Sequence, residues 1–360
     1  MSSFIRLVAA VCLAVFFTGR AHAKVHGVFA HYMVGGMSTI DQALADVKEA
    51  QSLGLDAFAL NVQQPDAWWT RASLDFLFKA ASQQDFKLFF SMDMAVIPSP
   101  SNCTSLLTKY ITHPAYYHHA NRPFLSTFRG GAHSNANTQW TTVFQSLPAT
   151  KNNPYFIPNF EDHPSVTDGT YPPSIFTTFP ATAGLMAWET AWPPSGSPPS
   201  TVNHTLSTDE TNLAVTRDAK RSYMLPLSTF QCKHHPEHGN WFRVGGLTLP
   251  RRFLGALALQ PEFVEVLTWN DAGEGHYLGN LWPEAMPDEV MSGMVEGWGH
   301  KAWGVVLKPM VDVKKGEQVV QLLGKDGKVI GEGKGKMPVT DRMQDVGGIC
   351  NFNYQVVKIE

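Results

Sequence analysis

The sequence predicts an α/β fold: a (β/α)8 barrel of the TIM type, followed by a small β-sandwich-like C-terminal appendage. Two observations carry this prediction. Eight short apolar runs alternate with longer segments at helical spacing between Val25 and Trp269, a span close to the roughly 250 residues that such barrels occupy. No GxGxxG follows the first run and no GxxxxGK[ST] occurs anywhere, which argues against a doubly wound nucleotide-binding sheet. The first run is Val25–Met33. Ser38 and Thr39 then predict an N-cap for a helix through Leu53, with Asp41 or Gln42 three residues on to close a capping box. The second run, Asp56–Asn61, follows directly, so Asp56 belongs at the stability face. An Ala-rich helix from about Trp69 to Gln84, opened by Trp68 and Trp69 as packing residues, leads to the third run, Phe86–Met92. The remaining strands are predicted at Pro123–Phe128, Pro154–Phe160, Gly184–Trp188, Ser222–Leu227 and Phe263–Trp269.

Two stretches break the rhythm. Trp192–Thr201 is rich in Pro, Ser and Gly and predicts an irregular loop after the sixth strand. From about Gly304 the helical spacing ends, and Glu317–Leu323 and Lys328–Ile330 flank the hairpin signal Gly324-Lys325-Asp326-Gly327. Residues 24–303 are therefore expected to form the barrel, and residues 304–360 a small β domain.

Met1–Ala23 carries Arg6, the apolar run Leu7–Phe17 and the small-residue pattern Ala21-His22-Ala23, the anatomy of a cleaved secretory signal peptide. The run is shorter than the roughly 20 residues of a spanning helix. A secreted, extracellular chain starting at Lys24 is expected, with no membrane association after cleavage. The formal charge of -3 leaves no field that favours a polyanion, so nucleic acid is not an expected partner. Three cysteines remain after cleavage, Cys103, Cys232 and Cys350. They form no disulfide framework, although one bridge and one free thiol stay open, and no CxxC suggests zinc. Asn102 and Asn203 head glycosylation sequons.

In a barrel the site is built where strands end at their C-termini. The polar residues there are His31, Asn61, Asp93, Ser126 with Thr127, Asn159 with Glu161 and Asp162, Glu189, Ser228, and Asn270 with Asp271 and Glu274. The densest cluster runs from Leu267 to Tyr277, with Asp271 and Glu274 three residues apart beside Trp269 and His276 and with glycines that let the backbone turn. Two carboxylates in different environments suit glycosidic cleavage, where one protonates the leaving oxygen while the other stays charged. Trp269 offers an apolar wall and a face for sugar stacking. The high aromatic content, 11% with 10 Trp, fits a sugar-binding cleft.

This segment resembles the Trp-Asn-Asp-Tyr-Gly-Glu-Ser-His-Tyr signature of glycoside hydrolase family 71, the fungal α-1,3-glucanases or mutanases. Val28–Gly35, Asp56–Asn61, Phe86–Met94, Arg122–Phe128 and Gly184–Trp188 look like family segments in family order, and Cys350–Tyr354 resembles the close of the family's C-terminal β domain. The resemblance implies endo hydrolysis of α-1,3-glucan in fungal cell walls, with inversion and without a metal or other cofactor, by a chain expected to be monomeric. It places Glu274 as general acid and Asp271 as the base that activates water. Inversion implies carboxyl groups roughly 6.5–9.5 Å apart. His31, Asn61, Asp93, Trp188, Trp269, Asn270 and His276 are then expected to line the sugar subsites.

Ala272 and Gly275 stand where the family usually has Tyr and Ser, Arg129 follows Ser-Thr-Phe as an unexpected cation, and Glu189 is not the expected residue after Trp188. These departures motivate an alternative, a glucan-binding relative without catalysis. A metal-dependent hydrolase is the third reading, from His234, His235, Glu237 and His238 with His118 and His119. Pro236 interrupts the helix that would align such ligands and HExxH is absent, so these are expected to be solvated loop histidines.

Overall fold

The computed structural model describes residues 25–193, 206–233, 241–243, 245, 248–286, 292–293, 295–304, 306–308, 344–346 and 349–351. The predicted leader at 1–23, the Asn203 sequon, most of the Trp192–Thr201 loop, the Gly324–Gly327 hairpin and His234, His235, Glu237 and His238 lie outside them.

Every predicted run contains a strand. In chain order these are β1 (Gly27–Met33), β2 (Ala57–Val62), β3 (Lys87–Asp93), the two-residue β4 (His118–His119), β5 (Arg122–Phe128), β6 (Tyr155–Phe156), β7 (Gly184–Met186), β8 (Ser222–Ser228), β9 (Gln231–Lys233), β10 (Trp241–Arg243) and β11 (Phe263–Leu267). Helices lie between them: α1 (Ile40–Ser52), α2 (Trp68–Gln84), α3 (Thr104–Tyr110), α4 (Ala136–Ser146), α5 (Ile175–Thr178), α6 (Ser207–Asp218) and α7 (Thr248–Leu259). Thr39 caps α1 as predicted. Its hydroxyl accepts from the Gln42 N–H at 3.3 Å, and Gln42 Oε1 accepts from the Thr39 N–H at 3.0 Å. Leu74, Leu77, Phe78 and Ala81 of α2 are all buried, the spacing that turns one helix face to a sheet.

The strands form one curled α/β sheet in the order β4-β5-β3-β2-β1-β11-β8-β7, with β6 beside β5. All its pairings are parallel except the antiparallel β4–β5 contact. The run predicted at Pro154–Phe160 shrinks to two residues for a local reason. Ile157 and Asn159 donate to the carbonyls of Leu125 and Thr127 on β5, and the carbonyls of Phe156 and Pro158 accept from Ala183 and Met186. Pro158 has no N–H to return toward β7, so only an isolated parallel bridge, Asn159 with Met186, joins the two there.

Inside the curl, Phe29, Phe89, Phe124 and Phe263 pack ring to ring, and contacts such as Phe124–Phe263 at 5.0 Å join strands that are not neighbours in the sheet. Side chains two residues further along a strand share the same face. Those residues are His31, Ser91, Ser126 and Glu265, all buried. An apolar floor thus gives way, one pleat higher, to a polar layer at the strand C-termini.

Sequence patterning missed the β9–β10 ribbon, an antiparallel pair folded back after β8. The described part of residues 304–360 includes one further antiparallel pair, β12 (Gln344–Val346) with β13 (Ile349–Asn351). Cys103 and Cys232 are buried, and burial pushes the Cys103 thiol up to about 12. Among the described residues no helix is long and apolar enough to cross a membrane.

Candidate active site

Beyond Leu267 the chain folds back on itself. The Thr268 N–H donates to the His276 carbonyl at 2.7 Å, and the Thr268 hydroxyl donates to that carbonyl at 2.8 Å while accepting from the Asp271 N–H at 3.0 Å. The Glu274 N–H donates to Asp271 Oδ1 at 3.1 Å. Gly275 has φ +71°, and a Cβ there would lie 3.0 Å from the Cys232 carbonyl, so this position favours glycine on backbone grounds. The loop brings both carboxylates onto one imidazole: His276 Nε2 is 3.5 Å from Asp271 Oδ2 and 3.4 Å from Glu274 Oε2.

The acids are the part of this cluster that reaches solvent, with side chains 17% exposed for Asp271 and 25% for Glu274 against 0% for His276. Glu274 also accepts from Gln231 Nε2 at 2.5 Å and from Lys233 Nζ at 2.7 Å. Burial is the largest influence on Glu274 and pushes its carboxyl up, but His276 and Lys233 together outweigh it and hold the group well below the usual carboxylate range. Burial pushes His276 down, yet the Asp271 and Glu274 carboxylates 3.5 and 3.4 Å from its Nε2 win and raise it to about 9. The free site therefore holds an imidazolium between two acids, with Glu274 charged.

Donor atoms of Asp271, Glu274 and His276 lie within 4.8 Å of one another. These nearest atoms are closer together than the carboxyl separation of roughly 6.5–9.5 Å expected for inversion. The same three groups are the set among the described residues that converges as cation ligands do. A cation there would have to displace the proton from His276, since metal binding needs the neutral imidazole.

The other expected site residues are almost wholly buried. Trp188 meets His31 in a T-shaped contact at 4.8 Å and lies 6.3 Å from the His276 ring, beside the acid cluster. Asp93 sits at the end of β3, where burial pushes its carboxyl up against the opposing effects of the Ala95 N–H, His31, Gln63 and Asn61. Asn270 does not face the cleft. Its Oδ1 accepts from the Met33 N–H at 2.8 Å and its Nδ2 donates to the Met33 carbonyl at 3.1 Å, which locks the end of β1 to the site loop. Trp269 requires a correction. It is fully buried against Phe58, and a Cβ on Gly279 would meet its ring at 2.1 Å. It packs behind the sheet and offers no face to a sugar.

Sequence reasoning missed Gln231 and Lys233, which stand two apart on β9 and so share the face turned to Glu274. Their alternation beyond a strand end was the available signal. Glu161 was collected but its role was not foreseen: it accepts from Asn159 Nδ2 at 2.6 Å and from the N–H groups of Trp188 at 2.7 Å and Glu189 at 3.2 Å. Glu189 in turn pairs with Arg243 at 2.6 Å, and Arg243 lies 5.3 Å from the Trp192 ring, which packs on His276. Asp162 accepts from the N–H groups of Gly130, Gly131 and Ala132 and fixes the loop after β5. A cavity of about 730 Å³ opens beside Tyr277, lined by Asn280, Met286, Trp298 and Lys301, but its walls include neither acid.

The model of glycosyl hydrolase family 71 matches residues 24–315. The chain belongs to glycosyl hydrolase family 71. Its family 71 segment begins directly after the predicted leader. A glucan endo-1,3-alpha-glucosidase of Schizosaccharomyces pombe is 30% identical over 297 residues, covering 80% of this chain and 66% of that protein. A mutanase of Penicillium rubens is 32% identical over 296 residues, covering 80% and 61%. The chain thus spans about two thirds or less of the length of these family 71 relatives. An endo-alpha-mannosidase of family GH99 from Bacteroides thetaiotaomicron shares the fold at a TM-score of 0.61 and 10% identity, covering 81% of this chain and 98% of the other.

Proposed function

We propose that this family 71 chain is a glycoside hydrolase that cuts α-1,3-glucosidic bonds inside α-1,3-glucan, with Asp271 and Glu274 as its catalytic pair. The observation that carries this reading is the meeting of two partly exposed carboxylates on the buried His276 imidazolium. The printed activities of the two relatives support the substrate. The curled sheet, joined from β6 to β7 by the Asn159–Met186 bridge, supports reading the fold as a (β/α)8 barrel spanning 24–303. Secretion through the 1–23 leader, action on cell wall and a monomeric state belong to the same proposal.

In the proposed mechanism Asp271 takes a proton from water as the water attacks the anomeric carbon. Glu274 delivers a proton to the departing glycosidic oxygen. Despite its burial, the Glu274 carboxyl is held low in the free site by His276 and Lys233. A bound glucan chain covers its exposed quarter and parts it from His276, so the proton on His276 moves to Glu274 as the cleft fills. The sugar also separates the two acids toward the spacing that inversion needs.

Reducing-end release from purified α-1,3-glucan, with α-1,4-glucan and β-1,3-glucan as controls, tests the substrate, and NMR of the first-formed anomer tests inversion. The reading expects turnover of the α-1,3 polymer alone with inverted product. Sedimentation with the polymer without turnover favours the non-catalytic glucan-binding alternative.

A further inference from the structure

The end of β5 carries a cation that the proposed chemistry does not use. On this strand Phe124 belongs to the aromatic floor and Ser126 to the polar layer above it. Phe128, two residues further, turns to the same inner face at the mouth of the curl. Its Cα is paired with that of Asp93 on β3, and its ring meets Trp188 at 4.8 Å. The guanidinium of Arg129 lies over the Phe128 ring, 5.6 Å from its centroid. Trp188 lies in turn 6.3 Å from the His276 ring, so two aromatic rings separate this cation from the imidazolium that both acids share.

Arg129 is exposed, yet its backbone is fixed. It is left-handed, at φ +56°, a region that bulky side chains seldom occupy. Two hydrogen bonds hold it there: the Thr127 hydroxyl donates to the Arg129 carbonyl at 2.8 Å, and the Arg129 N–H donates to Asn159 Oδ1 at 3.3 Å. Residues in such conformations persist where their surroundings over-determine them, and they cluster at ligand clamps. The charge is also uncommitted. Lys233 pairs with Glu274 and Arg243 with Glu189, whereas Arg129 pairs with no carboxylate among the described residues. An arginine stacked on a ring keeps its planar edge of N–H donors open, and that edge matches a carboxylate with two parallel hydrogen bonds. One positive charge suits a monoanion, while a phosphate with nearly two negative charges calls for more than one cation.

We propose that Arg129 is a specificity-determining residue that binds a carboxylate on the polysaccharide, which extends the substrate class from neutral α-1,3-glucan to α-1,3-linked chains carrying acidic sugar units. The acidic unit belongs at a subsite over Phe128, beside the bond that is cut, because Asp271 and Glu274 repel a further carboxylate brought directly onto them. This inference rests on the proposed glucan cleft and deepens it at a position where the chain departs from the usual family pattern.

The test compares a neutral α-1,3-gluco-oligosaccharide with a series in which one unit, at each position in turn, is oxidised to a carboxylate at C6. Wild type is expected to favour the best-placed acidic isomer over the neutral one by roughly 3- to 10-fold in kcat/KM at low salt, and to lose that preference as salt rises. Arg129→Gln is expected to bring the ratio to one or below, Arg129→Glu to reverse it, and Arg129→Lys, which keeps the charge without the fork, to retain part of it. Each ratio is taken within one preparation, so the folded fraction of a variant cancels. A wild-type ratio of one or less for every isomer, or the same ratio in Arg129→Gln, overturns the proposal. A 6-phosphorylated isomer favoured over its carboxylate counterpart overturns the assignment of the anion. If wild type turns over none of these sugars, calorimetric titration reads the same ratio in affinity: a preference that depends on Arg129 then overturns the hydrolase reading alone, and its absence overturns the Arg129 assignment as well.

Discussion

Replacing Lys233 by methionine removes a cation 2.7 Å from Glu274 Oε1 while keeping most of the side-chain volume. With the two side chains 31% and 25% exposed, a charge-assisted hydrogen bond of this kind is worth about 1.5–3 kcal/mol. At 1.36 kcal/mol per tenfold change, Glu274 becomes roughly 10- to 100-fold easier to protonate. If Glu274 delivers the proton, the alkaline limb of the kcat profile moves up by about one to two pH units. Lys233→Arg keeps the limb near its original position. The assay is reducing-end release from soluble α-1,3-gluco-oligosaccharides across the pH range. Movement of the acidic limb instead means that Glu274 works as the base, and an unmoved profile means that Lys233 does not govern it. Stability carries the same sign. The folded-state carboxyl of Glu274 lies below its unfolded value, so the stabilisation from its partners is present above that unfolded value of about 4.3 and is lost as pH falls. Lys233→Met therefore weakens the protein at neutral pH, and the difference from wild type narrows in acid.

Trp269→Leu is expected to lower stability by about 2–4 kcal/mol, because it opens a cavity beside Phe58. KM of the folded fraction stays within about twofold, since the ring faces no sugar; denaturant unfolding beside steady-state kinetics checks both. Glu161 sits at about 7, raised by burial against the hydrogen bonds of Asn159, Trp188 and Glu189. Its folded value is above the unfolded one, so its contribution is fully present below about pH 4.3 and is lost as pH rises through 7. Glu161→Gln, compared with wild type by unfolding at pH 4.5 and pH 8, is expected to gain on the order of 2–3 kcal/mol relative to wild type across that interval. Incubation with a strong chelator is expected to leave glucan turnover unchanged, and a loss restored by added divalent cation would reassign Asp271, Glu274 and His276 as metal ligands.

The strands were legible because each apolar run is short and ends in polar residues, and the capping box at Thr39 fixed one helix start within a residue. Pro158 shows the limit of such reading. It sits inside an apolar run, and which neighbour its missing N–H fails to serve emerges only from the pairing. Asp271 and Glu274 were readable because they stand three apart among glycines in one segment. Lys233 and Gln231 were not, since a ribbon that folds back after β8 brings them to Glu274 from 41 and 43 residues away. Trp269 misled for a related reason. It stands beside the acids in sequence, yet it packs on the opposite side of the sheet, where Gly279 makes room for its ring. Glu265 was overlooked because a lone acid inside an apolar run carries no meaning until His31 of a neighbouring strand is placed against it.

The central claim is that Asp271 and Glu274 together cleave α-1,3-glucosidic bonds. It is tested most directly by reducing-end release from purified α-1,3-glucan by wild type, Asp271→Asn and Glu274→Gln, with matched thermal unfolding to show that each variant is folded. The predicted result is turnover by wild type and a fall of about 10²- to 10⁴-fold in each folded variant, the usual worth of a positioned acid or base. Turnover that survives in either folded variant contradicts the assignment.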